Sequence, residues 1–190
     1  MKNFLTNKKN IRRLLLGALV FLTAMAQNVP WLPGIYGVRA LPLLPLVVAV
    51  AVLDQALPGV LYGAFAGLLW DIAGPTAMPH AVYLACAAFI CAMLMRYVLV
   101  RNALTVGLLM LLFAAGYLAL RWWLDYHLLP GEPLPGGVYA LLRYSLPSLG
   151  YTMLTAAPMY MLTNAVVKRT SRRSKAYVPG EMRWTSEDMG

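Results

Sequence analysis

Few residues in this chain are of types that carry chemistry. Asp71 closes a string of Gly59, Gly63 and Gly67 at four-residue spacing, and Ser148, Thr152 and Thr155 form a second polar series nearer the C-terminus. No GxSxG, HExxH or phosphate-binding loop occurs, so the common arrangements for nucleophilic, zinc-dependent or phosphoryl chemistry are missing. His80 and His127 read as loop residues without a spaced partner, and Ser148, close to Gly150, has no histidine in a neighbouring apolar stretch to act as its base. Cys86 and Cys91 are five residues apart, about 140° around a helix, which suits two small core residues better than a disulfide or a metal site. The expectation is a protein that is not an enzyme and has no metal or cofactor.

The elements that must position these residues are apolar. Of 190 residues 61% are hydrophobic and 12% charged, and the mean hydropathy is +0.65, a composition suited to lipid rather than to water. Several stretches approach or exceed the roughly 20 residues needed to cross ~30 Å of hydrocarbon. The reading is an all-α integral membrane protein with six transmembrane helices, at about 14–32, 40–56, 59–73, 81–100, 103–124 and 144–167. Residues 1–13 form a basic head, and 168–190 a polar tail expected to be disordered. Pro42 and Pro45 fall in the first two turns of the second span, where proline is least damaging. Leu57-Pro58-Gly59 reads as a tight turn, leaving a short third span of about 22 Å. Pro147 and Pro158 are expected to kink the sixth. Ala24-Met25-Ala26 before Gln27 also fits a signal-peptide cleavage pattern, which the first helix of a polytopic protein often shares.

Net charge of +9 does not point to nucleic acid, because the basic residues sit at the ends of the chain instead of alternating with aromatics on a polar face. They point to topology. With both termini in the cytoplasm, that side holds thirteen lysines and arginines, including Arg12, Arg13, Arg96, Arg101, Lys168 and Arg169, while the outer side keeps three, Arg39, Arg121 and Arg143. Trp31, Trp70, Trp122 and Trp123 then all fall at outer helix ends, the interfacial place their rings favour. The basic start of the tail can rest on anionic membrane lipid.

Gly59, Gly63, Gly67 and Asp71 share one helix face, and glycines at this spacing let a second backbone approach, either within the chain or on another protein. Asp71 is costly near a membrane and is disfavoured at a helix C-terminus, so something outside its own helix must stabilise it. Two arrangements would do so. One is a salt bridge to Arg39, about one turn away across a hairpin; the other is a set of hydrogen bonds from loop amides between Gly74 and His80. Ser148, Thr152 and Thr155, with Tyr151 and Tyr160 beside them, make a stripe that either packs on neighbouring helices or lines a pocket for a lipid or small molecule.

The string Gly59-Val-Leu-Tyr-Gly63-Ala-Phe-Ala-Gly67-Leu-Leu-Trp-Asp71-Ile-Ala-Gly74, the preceding Arg39-Ala-Leu-Pro42 and the Arg101-Asn102 turn resemble the rod shape-determining protein MreD family. The likeness runs over the membrane region from Leu14 to Arg169. It implies a non-enzymatic, multi-pass subunit of the bacterial cytoplasmic membrane that works in cell elongation with MreC, MreB and the peptidoglycan transpeptidase and glycosyltransferase. It also implies a membrane fold similar to the substrate-binding subunits of energy-coupling-factor vitamin transporters. Membership of that transporter group is the alternative reading, although its AxxxA docking motif does not occur between Leu14 and Leu32.

Overall fold

The computed structural model describes residues 8–28, 38–54, 56–73, 78–99, 102–127, 139 and 141–175. Trp31, Arg101, the stretch 74–77, most of the long fifth loop and the tail beyond Lys175 lie outside the described residues, as do the side chains of Arg172, Arg173 and Lys175. Among the described residues there are six helices and no strand: α1 Lys8–Asn28, α2 Leu43–Leu53, α3 Ala56–Ala73, α4 His80–Tyr97, α5 Ala103–His127 and α6 Leu146–Lys175. A π-turn, Leu141–Ser145, leads into α6.

Three of these, α3, α4 and α5, are long and apolar enough to cross a membrane. The other three fall short for different reasons. Arg12 and Arg13 lie within α1, serine, threonine, tyrosine and proline dilute α6, and α2 has only 11 residues, about 16 Å of helix. The exposed faces are nevertheless strongly apolar. On α3, Leu57, Leu61, Phe65, Leu68 and Ile72 form an uncovered apolar stripe, a surface suited to lipid or to a partner. The molecule is compatible with a membrane protein.

Helix boundaries differ from the hydropathy reading in informative ways. The first helix starts at Lys8, inside the basic head, because lysine and arginine are good helix formers and hydropathy marks solvent rather than backbone. The third starts at Ala56, so Leu57, Pro58 and Gly59 form its first turn and the chain reverses just before them. Proline is tolerated there because first-turn N–H groups have no partner within the helix. At 18 residues α3 is about 27 Å long, and the short helix is α2. The sixth continues through Lys168 and Arg169 to Lys175, so the beginning of the tail is helical rather than disordered. Pro158 lies inside it. Pro147, in its first turn, has no N–H to return to the carbonyl of Arg143, and the wider π-turn sits where that ring would crowd the backbone.

The sequence of α2, LLPLVVAVAVL, has no polar face, and a helix that is apolar all round must be covered all round. It is the centre of the bundle. Leu43 to Val52 are all buried, and each of the other five helices packs against α2. Those five close a ring around it in the order α1, α3, α4, α5, α6.

Burial of the α2 N-terminus requires a partner for every backbone donor, and each has one. Leu41 N–H donates to Thr152 Oγ1 at 3.2 Å and Leu43 N–H to Gln27 Oε1 at 3.1 Å. Leu44 donates to the Leu41 carbonyl and Leu46 to that of Pro42. Pro42 and Pro45 have no donor to satisfy. The two prolines thus remove N–H groups where partners are scarce.

Candidate functional site

The glycine string joins α3 to its neighbours. A Cβ on Gly59 would stand 2.8 Å from Ala51 Cα in α2, one on Gly63 would stand 2.6 Å from the Leu84 carbonyl oxygen in α4, and one on Gly67 would stand 2.2 Å from Ala81 Cα. No side chain larger than hydrogen fits at these points. Of the two occupants the spacing allows, a segment of this chain or another protein, the first fills the face. The close approach exposes α3 and α4 backbone to CH···O and dispersion contact along two turns.

That approach carries Asp71 to the start of α4. His80 N–H donates to Asp71 Oδ1 at 3.0 Å and Ala81 N–H to Oδ2 at 3.1 Å, so one carboxylate caps the first two amides of α4. Pro79, at the cap position itself, provides no side-chain bond. An acid that its own helix C-terminus disfavours is stabilised by the N-terminus of the next helix, where the dipole has the opposite sign. Among the described residues the partners of Asp71 are these amides and the His80 side chain, not an arginine. Arg39 is exposed, and its carbonyl accepts from Ser148 Oγ at 3.0 Å.

The His80 side chain corrects its reading as a loop residue without a partner. It is the first residue of α4, 1% exposed, with Nδ1 2.7 Å from Asp71 Oδ1 and Nε2 2.8 Å from the Tyr117 hydroxyl on α5. Against an ionised carboxylate Nδ1 carries the proton, and the neutral ring then accepts from Tyr117 through Nε2. Trp70 stacks on the imidazole at 4.3 Å between centroids, and Tyr83 meets Tyr117 edge-on. The result is a hydrogen-bonded chain, Asp71 to His80 to Tyr117, spanning α3, α4 and α5. A carboxylate orienting an imidazole is also a proton-handling arrangement, but here the imidazole faces a buried tyrosine. The arrangement joins Asp71 near the end of α3 and His80 at the start of α4 to Tyr117 in the middle of α5.

Ser148, Thr152 and Thr155 all make hydrogen bonds within the bundle. Ser148 and Thr152 hold the 39–41 segment that enters α2, while Thr152 and Thr155 also donate to carbonyls of their own helix at 2.7 Å. A further polar contact joins α1 to the end of α2. Asp54, just beyond α2, has a side chain only 1% exposed and pairs with Arg12 of α1. Beside it the Tyr62 hydroxyl donates to the Arg13 carbonyl at 2.8 Å. The usable signal was a lone acid between two apolar stretches.

Cys86 is exposed and Cys91 buried, both as free thiols. Among the described residues no three His, Cys, Asp or Glu side chains gather as a metal site.

Asp71→Asn provides a direct test of the cap. The asparagine carbonyl can replace one oxygen, but its NH2 then faces an amide donor, leaving a donor unsatisfied at about 1–3 kcal/mol. The purified protein is expected to melt at lower temperature in detergent and to accumulate less in cells. A melting curve superimposable on that of the parent would refute the cap.

Comparison of the chain with family models, with curated proteins and with solved structures returned no match.

Proposed function

We propose that this chain is a non-enzymatic, multi-pass subunit of the cell-elongation machinery in the bacterial cytoplasmic membrane. In this reading it binds MreC and works with MreB and the peptidoglycan transpeptidase and glycosyltransferase in maintaining rod shape. All six helices take part in the membrane domain, both termini are cytoplasmic, and the fold is of the kind found in energy-coupling-factor substrate-binding subunits.

The observation that supports it best is the use made of the string carrying the family resemblance: Gly59, Gly63, Gly67 and Asp71 each seat one helix on another. Those residues build a scaffold. With the glycine face filled from within, a partner must meet other surfaces, and the Leu61, Phe65, Leu68 and Ile72 stripe on the opposite side of α3 is open to lipid or to a partner helix. The orientation rests on charge. Arg12 meets Asp54 at the end of the bundle where α1 starts and α2 finishes, and the positive-inside tendency puts that end in the cytoplasm.

Depleting the protein in a rod-shaped host is expected to round the cells, and affinity purification from native membranes to recover MreC. Cells that keep their shape, with no MreC eluting, would exclude the reading. A tightly held vitamin in the same eluate would favour the transporter subunit instead.

A further inference from the structure

Neighbours in the ring around α2 do not approach equally. Among neighbours in the ring the backbones of α4 and α5 come together least, although the two helices are consecutive in the chain. Side chains fill the gap: Tyr83 reaches from α4 to donate to the Phe113 carbonyl at 2.6 Å, and Tyr117 reaches from α5 to His80 at 2.8 Å. A Cβ on Gly116 would stand 3.3 Å from the Tyr83 hydroxyl, so the missing side chain there makes room for the reach.

The helices beside the seam are held unequally. Gly63, Gly67 and Asp71 lock α4 to α3 through backbone contact and a cap, whereas the links from α5 to that pair run through side chains, among them the Tyr83 and Tyr117 hydroxyls and the Trp70–Tyr117 ring contact. We infer that the α4–α5 seam is the joint at which this bundle opens, and that the Asp71–His80–Tyr117 chain with the Tyr83–Phe113 bond is its latch. Asp71 sets the direction of the imidazole from the more exposed side, its own side chain being 29% accessible, and the imidazole presents Nε2 to α5. Opening separates Tyr117 and Phe113 from α4 while the α3–α4 contact stays intact.

The chain contains its own reporter. Cys91 is 0% exposed and lies 11 residues after His80, three turns along and within about 20° of the same face of α4. With Cys86→Ser it is the single thiol, and its modification by N-ethylmaleimide can be followed by intact-mass spectrometry on the full chain in lipid nanodiscs. Tyr117→Phe and Tyr83→Phe keep both rings and remove one hydrogen bond each. Each is expected to speed modification of Cys91 about fivefold, and the pair about 25-fold, as loss of one and two ordinary hydrogen bonds would. A thiol at Ala49 in the core of α2, placed in a background lacking both native cysteines, should keep its rate in the same variants. An unchanged Cys91 rate in the double variant would overturn the latch. A rise at Ala49→Cys in step with Cys91 would show loosening of the whole bundle and overturn the joint.

Discussion

Gly67→Ala is expected to be the most damaging single-carbon addition among the described glycines. The new Cβ would lie 2.2 Å from Ala81 Cα and 2.4 Å from Ala81 N, and both are backbone atoms of a helix that cannot turn aside as a flexible side chain would. Relief requires α3 and α4 to separate, which lifts the first turn of α4 away from Asp71. Overpacking of a core usually costs about 1–3 kcal/mol, and this case belongs at or beyond the top of that range because the cap and the imidazole contact are lost with it. Gly107→Ala and Gly150→Ala supply the contrast, since nothing stands within 4 Å of either new carbon. There the intrinsic preference of helices for alanine, up to about 1 kcal/mol, should leave stability unchanged or raised. Thermal unfolding of the purified proteins in one detergent separates the cases. Gly67→Ala melting with the parent, or Gly107→Ala falling as far as Gly67→Ala, would refute the packing account.

That contrast shows what periodicity can and cannot reveal. The four-residue spacing of Gly59, Gly63 and Gly67 marks a face for close packing, but the identity of the neighbour depends on how the following turn returns, and no local pattern encodes it. Asp71 was legible as an acid in need of a partner, and hydrogen bonds from amides around His80 were one of the two arrangements open to it. The histidine was misplaced because Pro75 and Pro79 punctuate the stretch before it and read as loop throughout. Proline is also favoured at the entry of a helix, and His80 starts α4 immediately after Pro79. Tyr117 sits 37 residues from His80 and carries no signal on its own.

The central helix marks a different limit of the sequence pattern. Hydropathy treats LLPLVVAVAVL as a span equivalent to the rest, and a run apolar all round is covered either by lipid or by protein; here protein encloses it. Length agrees with this. Eleven residues cannot cross ~30 Å of hydrocarbon, so the ends of α2 must be served by side chains from other helices, as Gln27 and Thr152 serve one end. At the opposite end that task falls to Arg12.

The Arg12–Asp54 pair leads to the second large effect. Asp54 Oδ1 is held by Arg12 Nη2, while Asp54 Oδ2 and Arg12 Nε are buried without a hydrogen-bond partner among the described residues. Arg12→Met retains an apolar stem but leaves a carboxylate with 1% exposure and no counterion, which should cost about 3–5 kcal/mol. Asp54→Asn should cost less, because the Arg12 side chain is 24% exposed and can turn towards water. Removing both charges together, as Arg12→Met with Asp54→Leu, should recover most of the loss, since a buried pair seldom outperforms apolar packing of similar volume. A competing explanation is topological, because Arg12 also contributes to the positive charge of its end of the bundle. Arg13→Met distinguishes the two: it removes the same charge one residue away, from an exposed side chain whose own carbonyl makes the contact with Tyr62. A buried pair predicts a change within about 0.5 kcal/mol for Arg13→Met, the range of ordinary surface substitutions. Equal losses for the two arginines, or a double variant no better than Arg12→Met, would transfer the role of Arg12 from packing to membrane orientation.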